Sequence, residues 1–224
     1  MELTYRFAKS LLKPWLRTWF NWSIEGVENI PREGPAILAF NHIAYLDPLA
    51  AAFVVDKAKR IPRFLGKAEL FDDWKIGWVL KGAKQIRVDR GTKGAPMALD
   101  HAFAAVKKGE VVVIFPEGTI THHPDLSPME AKSGTARIAL ATNTPIIPAA
   151  IWGTANVWGK GYRKNWKPGQ DIAVRVGDPI EVSGDPNSPE AWTAVGDKVM
   201  DEISVLVASL RSVVPDRRRK KDAA

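Results

Sequence analysis

Short apolar runs that alternate with helix-like segments are the feature that most constrains the fold of this chain. We predict strands near residues 23–27, 35–41, 61–66, 83–89, 111–116, 145–152 and 171–182, and helices near 48–59, 74–81, 95–108, 132–142 and 189–212. Such alternation is typical of α/β domains, because each crossover helix returns the chain to a largely parallel sheet. We therefore expect a single domain over residues 23–213, with a mixed, largely parallel central sheet flanked by helices.

The residue composition excludes several classes of protein. Cysteine is absent, which excludes disulfides, thiolate metal sites and a cysteine nucleophile. The N-terminus lacks a signal-peptide pattern, and no charge-free apolar run reaches the roughly 18 residues that a membrane-spanning helix needs. We therefore expect a protein that is neither secreted nor membrane-spanning, attached peripherally to the cytoplasmic face of the cell membrane.

Most of the net charge of +7 lies at the two ends of the chain. Residues 1–22 hold four basic residues against one acid, and residues 216–222 hold five against two. The nearly neutral body argues against a nucleic-acid partner, whereas basic ends suit an anionic phospholipid surface. For residues 214–224 the alternative is a disordered, solubilising tail.

Residues 1–22 have the pattern of an amphipathic helix. One arc is basic and the opposite side carries apolar and tryptophan side chains, a composition typical of helices that lie in a membrane interface. Pro14 is expected to kink or restart this helix. The alternative is a helix that packs its apolar side on the domain. The basic arc comprises Arg6, Lys9, Lys13 and Arg17, and the apolar side comprises Leu3, Phe7, Leu11, Trp15, Trp19 and Trp22.

His42 and Asp47 follow a buried strand and precede a helix, so they fall in a turn where the sites of α/β folds collect. A carboxylate bonded to one imidazole nitrogen fixes the tautomer and stabilises the imidazolium that forms when the other nitrogen takes a proton. The pair predicts a general base for a substrate hydroxyl, and Asp47→Asn is expected to act through a wrong tautomer. The alternative is a surface histidine beside a helix-capping aspartate.

Two further turns carry polar groups after strands. Glu117, Gly118 and Thr119 follow the run 111–115, and a carboxylate with backbone N–H groups can bind a polar substrate head. Arg90 ends another strand, and its guanidinium suits a phosphate. Residues 153–170 are predicted to be a long loop, a candidate lid or membrane contact. Helical spacing predicts core positions for three tryptophans, Trp74, Trp78 and Trp192.

The order of these motifs resembles the glycerolipid acyltransferase family, best known from lysophosphatidic acid acyltransferases. The four blocks are His42-x4-Asp47, Gly82-x3-Ile-x-Val-x-Arg90, Phe115-Pro-Glu-Gly-Thr119 and Pro145-Ile-Ile-Pro148, and the similarity covers roughly residues 20–180. The resemblance implies that His42 is the base, Asp47 orients it, and the hydroxyl attacks an acyl thioester directly. It assigns Arg90, Glu117 and Gly118, with Thr119 in the same turn, to the phosphate-bearing acceptor and Pro148 to the acyl side. Lys67 and Lys132 are additional phosphate candidates.

The expected reaction uses acyl-CoA or an acyl carrier protein as co-substrate, without a cofactor or metal, and gives phosphatidic acid from lysophosphatidic acid. Many family members continue Glu-Gly-Thr with Arg-Ser, whereas this chain has Ile120-Thr121. The acceptor is therefore open to another lysophospholipid, glycerol phosphate or a glycolipid. Two other classes are a metal hydrolase, using the five residues His42, Asp47, His122, His123 and Asp125, and a non-catalytic lipid-binding protein. The sequence leaves the oligomeric state open.

Overall fold

A computed structural model describes residues 3–88 and 94–219 as a seven-stranded sheet with helices on both sides. The strand order is β1-β7-β6-β2-β5-β3-β4, and all neighbours are parallel except β6 and β7. The elements along the chain are α1 (Leu3–Trp19), β1 (Phe20–Glu25), a 3₁₀ turn (Val27–Asn29), β2 (Ala36–Phe40), α2 (Asp47–Lys57), β3 (Pro62–Lys67), α3 (Ala68–Asp72), α4 (Gly77–Gly82), β4 (Ile86–Val88), α5 (Gly94–Lys107), β5 (Val111–Ile114), α6 (Gly134–Thr142), β6 (Ile146–Trp152), α7 (Thr154–Trp158), β7 (Gln170–Val176) and α8 (Pro189–Arg211).

The sheet separates two apolar layers. Alternate residues of β2 point to opposite sides, so that Ile37 joins the layer under α5, α6 and α8, whereas Leu38 joins the layer under α1 and α2. Every residue of β2 is buried, as expected for a central strand covered on both faces. The predicted α/β architecture, with its mixed and largely parallel sheet, is confirmed.

Most strands end along the same edge of the sheet. The carboxyl ends of the parallel strands β2 to β6 lie there. Because β7 runs antiparallel to β6, its first residue, Gln170, lies at the same edge, together with Phe20 at the start of β1. The turns that follow β2, β5 and β6 are therefore neighbours in space.

The N-terminal helix differs from its predicted form. It ends at Trp19, because Phe20 and Trp22 pair with Gln170 and Ile172 in the sheet, and it continues through Pro14 without a restart. Lys9 and Lys13 from the basic arc form ion pairs with the buried Asp56 of α2. The basic arc is thus partly turned toward the domain.

Other boundaries also differ from the prediction. The chain forms two short helices, α3 and α7, that were not predicted, and β7 ends at Val176, shortly before Pro179, which has no N–H for a ladder. The expected disordered tail begins with Val214, which is 3% exposed and accepts a hydrogen bond from Trp152 Nε1. Residues 214–219 therefore pack on the domain.

Two of the three tryptophans predicted to lie in the core are exposed. Trp74 is 82% and Trp78 is 57% exposed, because the short helix pair α3–α4 has no further layer of the described chain above it. Trp192 is partly buried against the core under α8, where the Arg137 guanidinium lies 4.8 Å from its ring. No helix in the described ranges is both long enough and apolar enough to cross a bilayer.

Candidate active site

The turn between β2 and α2 brings His42 and Asp47 into contact. His42 Nδ1 lies 2.8 Å from Asp47 Oδ2. Since a carboxylate only accepts hydrogen bonds, Nδ1 is the donor, and in the neutral imidazole Nε2 keeps its lone pair. Among the residues that the structure describes, Nε2 has no hydrogen-bond partner, and the side chain remains 17% exposed. The imidazole can therefore take a proton from a molecule that approaches the sheet edge.

Asp47 is held rigidly at the start of α2. The residue is fully buried, and Oδ2 also accepts the backbone N–H groups of Ile43 (2.6 Å) and Ala44 (2.8 Å). Oδ1 accepts the hydroxyl of Thr154 at 2.6 Å. Pro48 follows directly, where its fixed φ favours the first helical turn. Both oxygens thus accept hydrogen bonds that fix the carboxylate beside the imidazole.

Glu117, which follows β5, stabilises the same turn. The residue is 2% exposed, and its two carboxylate oxygens accept the backbone N–H groups of His42 (2.7 Å) and Met129 (3.0 Å). Burial raises the pKa of Glu117 to about 7, opposed by these two backbone hydrogen bonds and by the His42 side chain. The geometry assigns Glu117 a positioning role, while the predicted contact with substrate stays a prediction.

An aromatic ring supports the other side of the imidazole. Phe115 stacks on His42 with 4.4 Å between ring centroids and 26° between the planes. The backbone carbonyl of His42 accepts the N–H of Thr121 at 2.8 Å. His42 is therefore held by its backbone, its Nδ1 atom and its ring face at the same time.

Sequence inspection missed two residues that build the site. Thr154 lies in the region predicted to be a loop, and no local motif marks it as a partner of Asp47. Asn41 is fully buried, and its side-chain amide bonds both the carbonyl (3.0 Å) and the N–H (2.7 Å) of Ile151. It thereby ties the end of β2 to β6. Its position directly before His42, after an apolar run, was the available signal.

The predicted acceptor-binding residues fall at several places around this edge. Gly118, with φ of +72°, and Thr119 complete the turn after β5 and are partly exposed. Lys132 is exposed, and its backbone N–H bonds the carbonyl of Pro116, so it adjoins that turn. Lys67 is exposed at the carboxyl end of β3.

Two other predicted residues have different outcomes. Arg90 lies outside the described residues. Pro148 is buried in the middle of β6, opposite Ala39, and its ring lies near Gly177 and α8 rather than beside His42. Its predicted acyl contact stays a prediction.

Two residues of the proposed metal site, His123 and Asp125, form other contacts. His123 Nδ1 lies 2.9 Å from Ser127 Oγ, and hydrogen bonds from Ser127 lower the pKa of Asp125 to about 2, assisted by Arg211. Within residues 3–88 and 94–219, no three histidine, aspartate or glutamate side chains form a group that could hold a metal ion.

A partly exposed imidazole backed by a buried carboxylate, at the edge where the strands of an α/β sheet end, can activate a hydroxyl group. Residues 21–152 match the model of the acyltransferase family. The chain therefore belongs to the acyltransferase family, as its motifs predicted, and it is an enzyme of that kind.

Individual relatives and a solved structure agree with this assignment. A 1-acyl-sn-glycerol-3-phosphate acyltransferase of Bacillus subtilis is 28% identical over 179 residues, covering 79% of this chain and 82% of the relative. A protein of the same name from Borreliella burgdorferi is 31% identical over 166 residues, covering 71% of this chain but only 61% of the relative. The crystal structure of the 1-acyl-sn-glycerophosphate acyltransferase PlsC of Thermotoga maritima superposes with a TM-score of 0.68 at 26% identity, covering 93% of this chain and 78% of that one.

Proposed function

We propose that the protein transfers a fatty acyl group from acyl-CoA or an acyl carrier protein to the hydroxyl of lysophosphatidic acid, giving phosphatidic acid at a membrane surface. The observation that carries the proposal is the His42–Asp47 pair, whose free nitrogen stays accessible at the edge of the sheet. The names of the Bacillus, Borreliella and Thermotoga relatives support the acceptor. Another lysophospholipid, glycerol phosphate or a glycolipid requires the same chemistry and is the alternative acceptor.

The reaction needs one base and no covalent intermediate with the enzyme. His42 Nε2 takes the proton of the acceptor hydroxyl as the oxygen attacks the thioester carbonyl carbon. The buried Asp47 carboxylate stabilises the imidazolium that results. As the carbon–sulfur bond breaks, the imidazolium returns the proton to the departing thiolate. The absence of cysteine agrees with direct attack, since the chain offers no thiol to carry the acyl group.

The membrane-surface mode is supported by an exposed apolar surface, which we call the α1–α4 patch. Leu3, Phe7 and Leu11 form a stripe along α1 and are 83%, 56% and 60% exposed. Trp74 and Trp78 are exposed just before and within α4, which packs closely on α1: a Cβ atom at Gly82 would meet Thr4. Arg6 and Arg17 are exposed on the same helix. Exposed tryptophan and leucine with adjacent cations suit a lipid interface.

The catalytic proposal is tested by replacing the base. His42→Ala should lower kcat by roughly 10²–10⁴ in a thiol-release assay with acyl-CoA and a panel of acceptors. His101→Ala is the matched control, since His101 is exposed on α5 away from the strand-end turns. Unchanged turnover by His42→Ala would refute the base assignment, and the panel identifies the acceptor.

The membrane proposal is tested by co-sedimentation with anionic vesicles. Changing Leu3, Phe7 and Leu11 to serine should reduce the bound fraction severalfold, because the buried apolar area supplies much of the binding energy. Val205→Ser/Val213→Ser is the control, since these residues are exposed apolar side chains near the other end of the chain. Equal vesicle binding by both variants would contradict the assignment of the α1–α4 patch.

A further inference from the structure

A strongly basic cavity lies apart from the His42–Asp47 pair. Its volume is about 350 Å³, and amide side chains of Asn156, Asn165 and Gln170 contribute to its wall. The cations around it, which we call the basic cavity residues, are Arg163, Lys164, Lys167, Arg217 and Arg219. All five side chains are exposed to solvent, so together they give the cavity a positive potential that attracts an anion.

The cavity is formed by segments that the fold holds together. The C-terminal segment docks on α7 and the following loop: Arg217 N donates to Asn156 Oδ1 at 2.8 Å, and Arg163 N donates to the carbonyl of Arg219 at 2.9 Å. Asn165 bonds Gln170 through their side chains at 3.0 Å. Asp171 lies 3.7 Å from Arg217. The C-terminal cations are therefore placed around a defined cavity.

The cavity lies at the same edge of the sheet as the turn that carries His42. Gln170, at the start of β7, lies at the edge where β2 ends. Tyr45, between His42 and Asp47, donates its backbone N–H to the carbonyl of Trp158 at 3.2 Å, and the two rings lie 5.3 Å apart. The Lys164 ammonium lies 4.8 Å from the centre of the same tryptophan ring. Tyr45, in the turn that carries His42, and Lys164, in the cavity wall, thus contact the same tryptophan.

We propose that this cavity binds the phosphate groups of the nucleotide end of coenzyme A, and that acyl-CoA is the thioester donor. This inference rests on the proposed function. The donor carries its reacting carbonyl at one end of a long pantetheine arm and its phosphates at the other, so its anion site must lie away from His42. The predicted acceptor residues Lys67 and Lys132 belong to the turns after β3 and β5, whereas the cavity lies beside β6 and β7.

The proposal is tested by removing positive charge from the cavity and comparing two acyl donors. The cavity variant Lys167→Gln/Arg217→Gln/Arg219→Gln should raise KM for acyl-CoA about tenfold or more, but leave KM for acyl-pantetheine, which lacks the nucleotide phosphates, unchanged. The control Lys107→Gln/Lys108→Gln/Lys198→Gln removes the same charge from exposed positions on or next to α5 and α8, and should behave as wild type with both donors.

Direct binding separates this inference from the acyltransfer proposal. Titration calorimetry with 3′,5′-ADP should show binding to the wild type and about tenfold weaker binding to the cavity variant, even if no lysolipid is acylated. Vesicle binding should be equal for both, because lipid headgroups are the other source of phosphate. Loss of vesicle binding without loss of 3′,5′-ADP binding would overturn the proposal. Equal KM changes for both donors, or turnover with an acyl carrier protein but not acyl-CoA, would also overturn it.

Discussion

The substitution Asp47→Asn removes the negative charge of the side chain but keeps its shape. It therefore separates the effect of the charge from the effect of the geometry. The two backbone N–H groups at Oδ2, from Ile43 and Ala44, require an oxygen at that position. The asparagine amide is therefore forced to place its oxygen there and its nitrogen toward Thr154, whose hydroxyl can turn to accept. The amide oxygen still accepts from His42 Nδ1. We therefore expect the tautomer to be preserved, whereas the sequence alone predicts that this variant acts through a wrong tautomer.

The expected loss follows from the missing negative charge. A hydrogen bond to a charged group contributes about 1 kcal/mol more than a neutral one, and a charge pair about 4 Å apart at an effective dielectric constant of about 20 contributes about 4 kcal/mol. We expect the barrier to rise by about 2–4 kcal/mol, which lowers kcat about 30- to 1,000-fold. The acceptor KM should change little, because Asp47 is fully buried and cannot contact the acceptor.

Steady-state kinetics and ¹⁵N NMR of the imidazole together test this reasoning. In Asp47→Asn the NMR spectrum should still show the proton on Nδ1 of His42. A proton on Nε2 would refute the argument from the backbone donors, and wild-type kcat would refute the role of the charge. Thr154→Val is the companion variant: it leaves Asp47 Oδ1 unpaired, should cost about 1–3 kcal/mol of stability, and should reduce kcat less than Asp47→Asn does.

Two further predictions concern buried carboxylates. Because the pKa of Glu117 is raised to about 7, its contribution to the free energy of unfolding is full below its ordinary pKa of 4.5 and is lost as the pH rises through about 7. Urea unfolding of the wild type should show a fall of up to about 3 kcal/mol over this range, which Glu117→Gln should abolish; persistence of the fall would point to another group. Lys9→Met/Lys13→Met should destabilise the protein by about 1–3 kcal/mol at pH 7, because Asp56 stays buried without its ion pairs, and adding Asp56→Ala should restore much of the loss. No recovery in that triple variant would contradict the explanation.

The predictable parts of the fold are those encoded over short distances in the sequence. The central strands β2, β5 and β6 follow from apolar runs, because a strand buried on both faces needs only a few consecutive apolar residues. The short helices α3 and α7, of five residues each, were missed because five residues contain too little of a helical period to be recognised. Trp74 and Trp78 have helical spacing, but spacing cannot show whether another layer covers them.

The candidate site likewise has one part that is visible in the sequence and another that appears only in the structure. His42 and Asp47 are close in sequence, and the chemistry of the pair is visible from the residues alone. Thr154 is 107 residues from Asp47, and Glu117 is 75 residues from His42, so their contacts exist only after the sheet has assembled. The motif around Glu117 pointed to the right turn. The hydrogen bonds of the Glu117 carboxylate show that it holds the turn that carries His42.

The basic residues at the two ends of the chain suggest one role in the sequence but have several roles in the structure. The basic N-terminal helix and the basic C-terminal segment both suggested an anionic membrane. In the structure Lys9 and Lys13 stabilise the docking of α1, Arg6 and Arg17 stay exposed beside the α1–α4 patch, and Arg217 and Arg219 surround the cavity near β7. Because these groups occupy different surfaces, substitutions in one should change folding stability, in another vesicle binding, and in the third the KM for acyl-CoA. A membrane-only role for all of them predicts instead that every such substitution weakens vesicle binding.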